Sequence, residues 1–326
     1  MCRTRTIPMN KLKRIAISFL ALPFLFPLSG CGSSGGGQAE SGWWQETSPA
    51  SEAAGGASSS GSLSGFGGSL ALYDAESFLL ILPYAYGGGD IRWQAEIKNE
   101  TDKSMDFHFT LFLNGILQPT RSEAESAPRN SQLIRLEGGE STLFSFSFDP
   151  VALWEGEENT AYACVFFPVE NSEGEFSHCC AEASSKISVP SEYVKSSAAD
   201  AFHAVQKITP QGPLDGSCLF SVHAEEDLSF PIDKPDCIPL QKALSVFAVV
   251  PEGPLRTYLF LDGCPVPAFG GKFCAEWDAD AGALYQIPLD SSVLRPDGEE
   301  HLVHLLSFHT DDCSLRPETS FFMKAR

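Results

Sequence analysis

The stretch Asp90-Ile91-Arg92-Trp93-Gln94-Ala95-Glu96-Ile97-Lys98-Asn99 alternates strictly, with Ile91, Trp93, Ala95 and Ile97 on one side and Arg92, Gln94, Glu96 and Lys98 on the other. A period of two puts the apolar set on one face of an extended chain, so this segment reads as a strand with one face buried. Segments of the same character follow: 107–113, closed by the turn pair Asn114-Gly115, then 132–136, 141–148, 160–167, and 176–183 as the returning arm of a hairpin. An apolar, β-rich run over 77–86 precedes them and stops at Gly87-Gly88-Gly89. Short strands at roughly 8–12-residue intervals, separated by turn residues, predict an all-β sandwich.

The pattern occurs twice. Thr257-Tyr258-Leu259-Phe260-Leu261-Asp262-Gly263 lies 148 residues after Phe109-Thr110-Leu111-Phe112-Leu113-Asn114-Gly115, and five of the seven positions match in kind. Each copy leads into a proline-bearing segment, Ile116-Leu117-Gln118-Pro119 and Cys264-Pro265-Val266-Pro267. Residues 283–289 parallel 141–148, and 301–308 parallel the strand that begins near Tyr162, at a spacing of about 140. One shorter loop accounts for the change. The expected fold class is therefore all-β, two tandem domains resembling Ig-like β-sandwiches at 69–190 and 211–326. Between them, 191–210 has a helical look, with Tyr193, Ala198, Phe202 and Val205 spaced near three and four and bounded by Pro190 and Pro210. It reads as a short helix or as an extended linker that starts the second sandwich.

The N-terminus carries a different message. Arg3, Arg5, Lys11, Lys13 and Arg14 form a basic start, and an apolar run of 14 residues begins at Ile15, interrupted by Pro23 and Pro27. That is too short to span a bilayer and has the layout of a secretory signal. It ends in Leu28-Ser29-Gly30-Cys31. These residues resemble the lipobox of bacterial lipoproteins. The resemblance covers residues 1–31 and implies that residues 1–30 are a signal peptide cleaved between Gly30 and Cys31. It also implies that Cys31 carries a diacylglyceryl group, and two chains hold a protein on a membrane far better than one. The expected location is the extracytoplasmic face of a bacterial membrane, and Gly32 is not the aspartate that favours inner-membrane retention. Met9 is a second start and gives a signal of more usual size.

Residues 31–68 follow as the lipidated cysteine and a disordered Gly/Ser/Ala linker. About 37 flexible residues reach roughly 30–35 Å on average, enough to lift a folded part clear of the headgroups. Trp43-Trp44 interrupts the linker, to dip into the membrane interface or to dock on the folded part.

Eight cysteines remain beyond Cys31: Cys164, Cys179, Cys180, Cys218, Cys237, Cys264, Cys274 and Cys313. An even number in an exported chain permits a disulfide set. A bridge from Cys164 to Cys179 or Cys180 and another from Cys264 to Cys274 are the expected ones, with Cys218–Cys237 and a bridge to Cys313 as weaker alternatives.

Removing residues 1–30 takes five of the 22 basic residues and none of the 42 acidic ones, so net charge moves from −20 to −25. That argues against nucleic acid and against electrostatic attachment to anionic lipid. No motif for nucleophilic, metal-assisted or phosphate chemistry is visible, so no cofactor is expected. His178-Cys179-Cys180 reads as a structural disulfide site rather than a metal site, and His301 and His304, three apart, fall on opposite faces of a strand. Asp278-Ala279-Asp280-Ala281-Gly282 reads as a polar turn, lacking the later ligands of a calcium loop. Binding is expected through loops, with 123–130 and 269–280, including Phe273 and Trp277, as candidates. The expected role is a lipid-anchored surface protein that binds or scaffolds a protein partner or wall polymer. The alternatives are a solute-binding lipoprotein built of α/β lobes and a cysteine-dependent enzyme.

Overall fold

The computed structural model describes residues 68–75, 84–123, 127–170, 176–196, 199–210, 219–224, 240, 242–250, 252–294, 301–311 and 321–325. In the first half, sheet I runs in the order β1 (Gly68–Asp74), β3 (Ile91–Asn99), β8 (Ser141–Phe148), β6 (Arg121–Ser122). Facing it, sheet II runs β2 (Tyr84–Ala85), β10 (Phe176–Val189), β9 (Gly156–Glu170), β4 (Met105–Leu113), β5 (Ile116–Gln118), with β7 (Gln132–Leu136) also paired to β4. In the second half, sheet III runs β11 (Ala201–Phe202), β17 (Cys274–Ala279), β15 (Gly253–Leu261), β19 (His301–His309), β20 (Phe321–Ala325), with β16 (Cys264–Pro265) on β15. Sheet IV runs β12 (Gln206–Ile208), β18 (Leu284–Pro288), β14 (Leu244–Val249), β13 (Leu219–Ala224).

Each half is a sandwich with its own core. The alternating β3 turns Ile91, Trp93, Ala95 and Ile97 inward and leaves Arg92 and Lys98 in water. Trp93 is fully buried and meets Tyr84 and Phe148 edge-on, with centroids 5.7 and 5.4 Å away. From the opposite sheet, Phe109 packs on Phe146 at 4.8 Å. Val246, Leu259, Phe269, Trp277 and Ile287 fill the second core in the same manner. Aromatic and branched side chains suit these positions because a pleated surface lets them interdigitate with the sheet opposite.

The two halves share one connectivity. The arrangement of β1-β3-β8 against β7-β4-β9-β10 recurs as β13-β14-β18 against β17-β15-β19-β20. The likeness reaches single hydrogen bonds. Asn114 and Gly115 have φ of 53° and 68°, Asp262 and Gly263 50° and 77°. Two successive positive φ values make the tight hairpin turn that matches strand twist, and Asn-Gly and Asp-Gly adopt it most readily. Asn114 donates its backbone N–H to Thr160 O at 2.8 Å and accepts from Thr160 N at 2.9 Å through its Oδ1. Asp262 does the same with Leu302, at 2.8 and 2.9 Å. The Asn114 amide donates to Asn159 Oδ1 at 2.9 Å, and where the second copy has a carboxylate, Asp262 Oδ2 lies 2.7 Å from His301 Nδ1.

Of the two readings of 191–210, the described residues show the extended one that starts the second sandwich: a 3-10 turn at Ser191–Tyr193 is followed by β11 and β12, with no α-helix among the described residues. Ala198 lies outside the described residues, and the other apolar residues that suggested a helical stripe serve two cores. Tyr193 packs on Tyr86 of the first sandwich at 5.6 Å, whereas Phe202 and Val205 pack on the second. The α/β lobes of the solute-binding alternative are also replaced, since every sheet among the described residues belongs to a sandwich.

Candidate functional site

The outer faces of sheets II and III press together, giving a seam between the sandwiches with a core of its own: Phe112, Cys164, Phe166, Tyr258, Phe260, Cys274, Leu306 and Phe308. The sequence puts them there because β4, β9, β15 and β19 carry apolar residues at odd and even positions alike. A strand apolar on both faces is covered on both faces. That signal was present in 109–113 and 257–261 and identifies the seam.

The seam has approximate two-fold symmetry. Phe112 packs on Phe308 with centroids 4.8 Å apart, and its counterpart Phe260 packs on Phe166 at 4.6 Å. Tyr162 meets Phe308 edge-on at 5.7 Å, while His304 meets Phe166 edge-on at 5.1 Å. Each hairpin turn also rests on the other sandwich. A Cβ added to Gly115 would lie 3.0 Å from Phe308 Cβ, and one added to Gly263 would lie 3.0 Å from Phe166 Cβ. Only glycine allows both this approach and the positive φ.

Polar groups finish the two ends differently. At one end the Tyr258 hydroxyl donates to Gly115 O at 2.9 Å and accepts from Leu117 N at 3.1 Å. Arg256, itself buried, donates to Asn114 O at 3.2 Å and pairs with Glu276. At the other end His108 Nδ1 lies 3.2 Å from Cys264 Sγ. Burial pushes the His108 imidazole below its ordinary value, against the pull of the Asp106 and Asp262 carboxylates.

Four thiols are described, Cys164, Cys180, Cys264 and Cys274, and none of them is in a disulfide. The expected bridges among them are therefore corrected. Cys164 stands opposite Glu182 and Cys180 opposite Phe166, so the two are diagonal neighbours. Diagonal positions are about 7–8 Å apart, beyond ordinary disulfide reach. Their thiols meet by a hydrogen bond instead, and desolvation raises both above the ordinary thiol value. Cys264 stands opposite Leu261 and Cys274 opposite Tyr258, three residues further along β15. That offset is about 10 Å at the strand rise. Burial, against the pull of Arg256, pushes Cys274 up to about 11. Cys31 and Gly30, with Cys218, Cys237 and Cys313, lie outside the described residues, as does the side chain of Cys179.

The remaining candidates are placed as follows. His304 faces the seam, while His301 reaches Asp262 at the hairpin. Asp280 pairs with Lys207 at 2.8 Å and its backbone N–H donates to the Tyr285 hydroxyl, which closes a polar turn. The 269–280 loop does not present its aromatics: Phe269 and Trp277 belong to the second core, and Phe273 packs on the seam. In the 123–130 loop, the described residues Glu123 and 127–129 are exposed. Sequence reasoning passed over a separate exposed pair. Leu153 and Lys195 form a two-way backbone bridge at 2.9 and 3.0 Å, which sets the exposed Trp154 beside the exposed Val194. It also passed over His108, which reads as a strand residue until the second sandwich is docked against it.

No family model and no curated protein matches this chain. Among solved structures it is similar to the periplasmic chaperone SfaE, at 10% identity over 79% of this chain and 97% of that one, with a TM-score of 0.21. The E. coli chaperone DraB gives 13% identity, 79% and 98% coverage and a TM-score of 0.25. A calcium-stabilised adhesin of an Antarctic bacterium that binds ice gives 11%, 79% and 48% and 0.22.

Proposed function

We propose that this chain is a lipid-anchored surface protein that presents a rigid pair of Ig-like sandwiches to a protein partner or an envelope polymer. The observation that supports it most is the seam. Aromatic packing between sheets II and III, with a glycine turn from each half seated on the other, joins the sandwiches into one stiff body. A stiff body loses little conformational entropy when it engages a target. Cys31 supplies the anchor and the Gly/Ser-rich 31–68 segment supplies the reach. The exposed Trp154–Val194 pair is a contact point suited to such a target, since a partly exposed tryptophan contributes large apolar area.

The test is in situ cross-linking on intact cells that display the full chain, alongside co-sedimentation with purified wall polymer. A specific cross-linked partner, or sedimentation, that Trp154→Ala weakens at unchanged melting temperature supports the reading. Neither a cross-link nor sedimentation removes its support.

A further inference from the structure

The Cys264–His108 contact joins a nucleophile of one sandwich to a base of the other. Cys264 is the first residue of β16, directly after the Asp262-Gly263 turn. Gly263 is pressed so close to His108 and Phe166 that an added Cβ would lie 3.1 Å from one Cβ and 3.0 Å from the other. The backbone that carries the thiol is therefore held against the strand that carries the imidazole.

The repeat supplies an internal control. The residues 148 positions before Cys264 and after His108 are Ile116 and Arg256. At that end the turn is seated by the Tyr258 hydroxyl on Gly115 O and by a guanidinium that donates to Asn114 O and pairs with Glu276, and the thiol there, Cys274, has a tyrosine and not an imidazole as its partner. Seating a turn on the seam thus does not require a thiol beside an imidazole. Cys164 and Cys274 are buried, whereas Cys264 and Cys180 are partly exposed, and of these two only Cys264 lies against an imidazole.

We propose that Cys264 is the most reactive of the four described thiols, a modification site for low-molecular-weight disulfides, with His108 as its general base. In the step, Cys264 Sγ attacks one sulfur of the disulfide. A new S–S bond forms at Cys264 as the S–S bond of the reagent breaks, and the departing half leaves as a thiolate with the electron pair. Cys264 is oxidised and the departing half reduced. The thiol proton passes to His108 Nδ1, and from there to the leaving thiolate or to water. A neutral imidazole is the form that can accept it, and burial keeps His108 in that form. The nearby Asp262 carboxylate steadies the imidazolium that results. This site stands apart from the display role and does not depend on it.

The experiment treats the full chain with 5,5′-dithiobis(2-nitrobenzoate) and follows each cysteine by peptide mass mapping. Cys264 is expected to react about tenfold faster or more than Cys164, Cys180 and Cys274. His108→Gln should slow Cys264 about tenfold, and added imidazole should restore the rate in His108→Ala. Circular dichroism checks the fold of both variants, and the ranking in the unsubstituted protein needs neither. Cys264 reacting no faster than Cys164, Cys180 and Cys274 overturns the assignment. An unchanged rate in folded His108→Gln, or no rescue by imidazole in folded His108→Ala, overturns the role of His108.

Discussion

Gly115 of the first sandwich rests on Phe308 of the second, with room for no side chain between them: a Cβ there would lie 3.0 Å from that of Phe308. Gly263 stands in the same relation to Phe166. Both glycines have positive φ, at 68° and 77°. Alanine at either position meets two penalties, a left-handed backbone and a clash that forces the seam apart. Gly115→Ala and Gly263→Ala should each cost about 1–3 kcal/mol, read as a lower urea midpoint at unchanged slope. Gly139→Ala is the control for backbone strain alone, because its φ is 74° and nothing lies within 4 Å of an added Cβ. It should cost the smaller amount.

Phe112 touches Tyr258, Phe260 and Phe308, with centroids between 4.8 and 6.4 Å. It is fully buried although it lies on the outer face of its own sandwich. Phe112→Ala should therefore cost about 3–5 kcal/mol, the range for a core phenylalanine. In a double-mutant cycle, Phe112 and Phe308 should show a coupling of about 0.5–1.5 kcal/mol. Additive effects would mean that the two rings do not share an interface in solution.

The seam should also respond to acid. His108 in the folded protein titrates below the ordinary imidazole value because of burial, which outweighs the pull of Asp106 and Asp262. The unfolded chain then binds more protons from about pH 6.5 downward. The stability contribution is fully present above that pH and is lost as pH falls through the folded-state value. Asp106, held low by its hydrogen bond to Arg135, loses its own contribution only below the usual carboxylate range, so the two windows are separate. For the unsubstituted protein the denaturant midpoint should be lower at pH 5.5 than at pH 7.5, and His108→Gln should reduce that drop. An equal slope in both proteins would place the acid response elsewhere.

Much of the fold was legible in the sequence because strand alternation and turn chemistry are local. Ile91, Trp93, Ala95 and Ile97 declare a buried face within a single strand, and Asn114-Gly115 and Asp262-Gly263 declare their turns in two residues. The duplication is visible for the same reason, through Leu111-Phe112-Leu113 and Leu259-Phe260-Leu261. The docking of one sandwich on the other is non-local. Phe112 and Phe260 break the alternation of their strands, and that was the available sign of a second covered face. The Cys264–His108 pair joins residues 156 positions apart across that seam, so no spacing rule brings it into view. The expected Cys264–Cys274 bridge rested on nearness in sequence, whereas the register of β15 carries the two thiols apart.

The proposed display role rests on Cys31 more than on any other residue. Fractionation of cells expressing the full chain or Cys31→Ala, with the melting temperature of each purified protein, tests it most directly. The full chain should be processed and found in the membrane fraction, and Cys31→Ala should lose that processing or that fraction while melting at the same temperature. Cys31→Ala recovered equally processed and equally membrane-bound would contradict it.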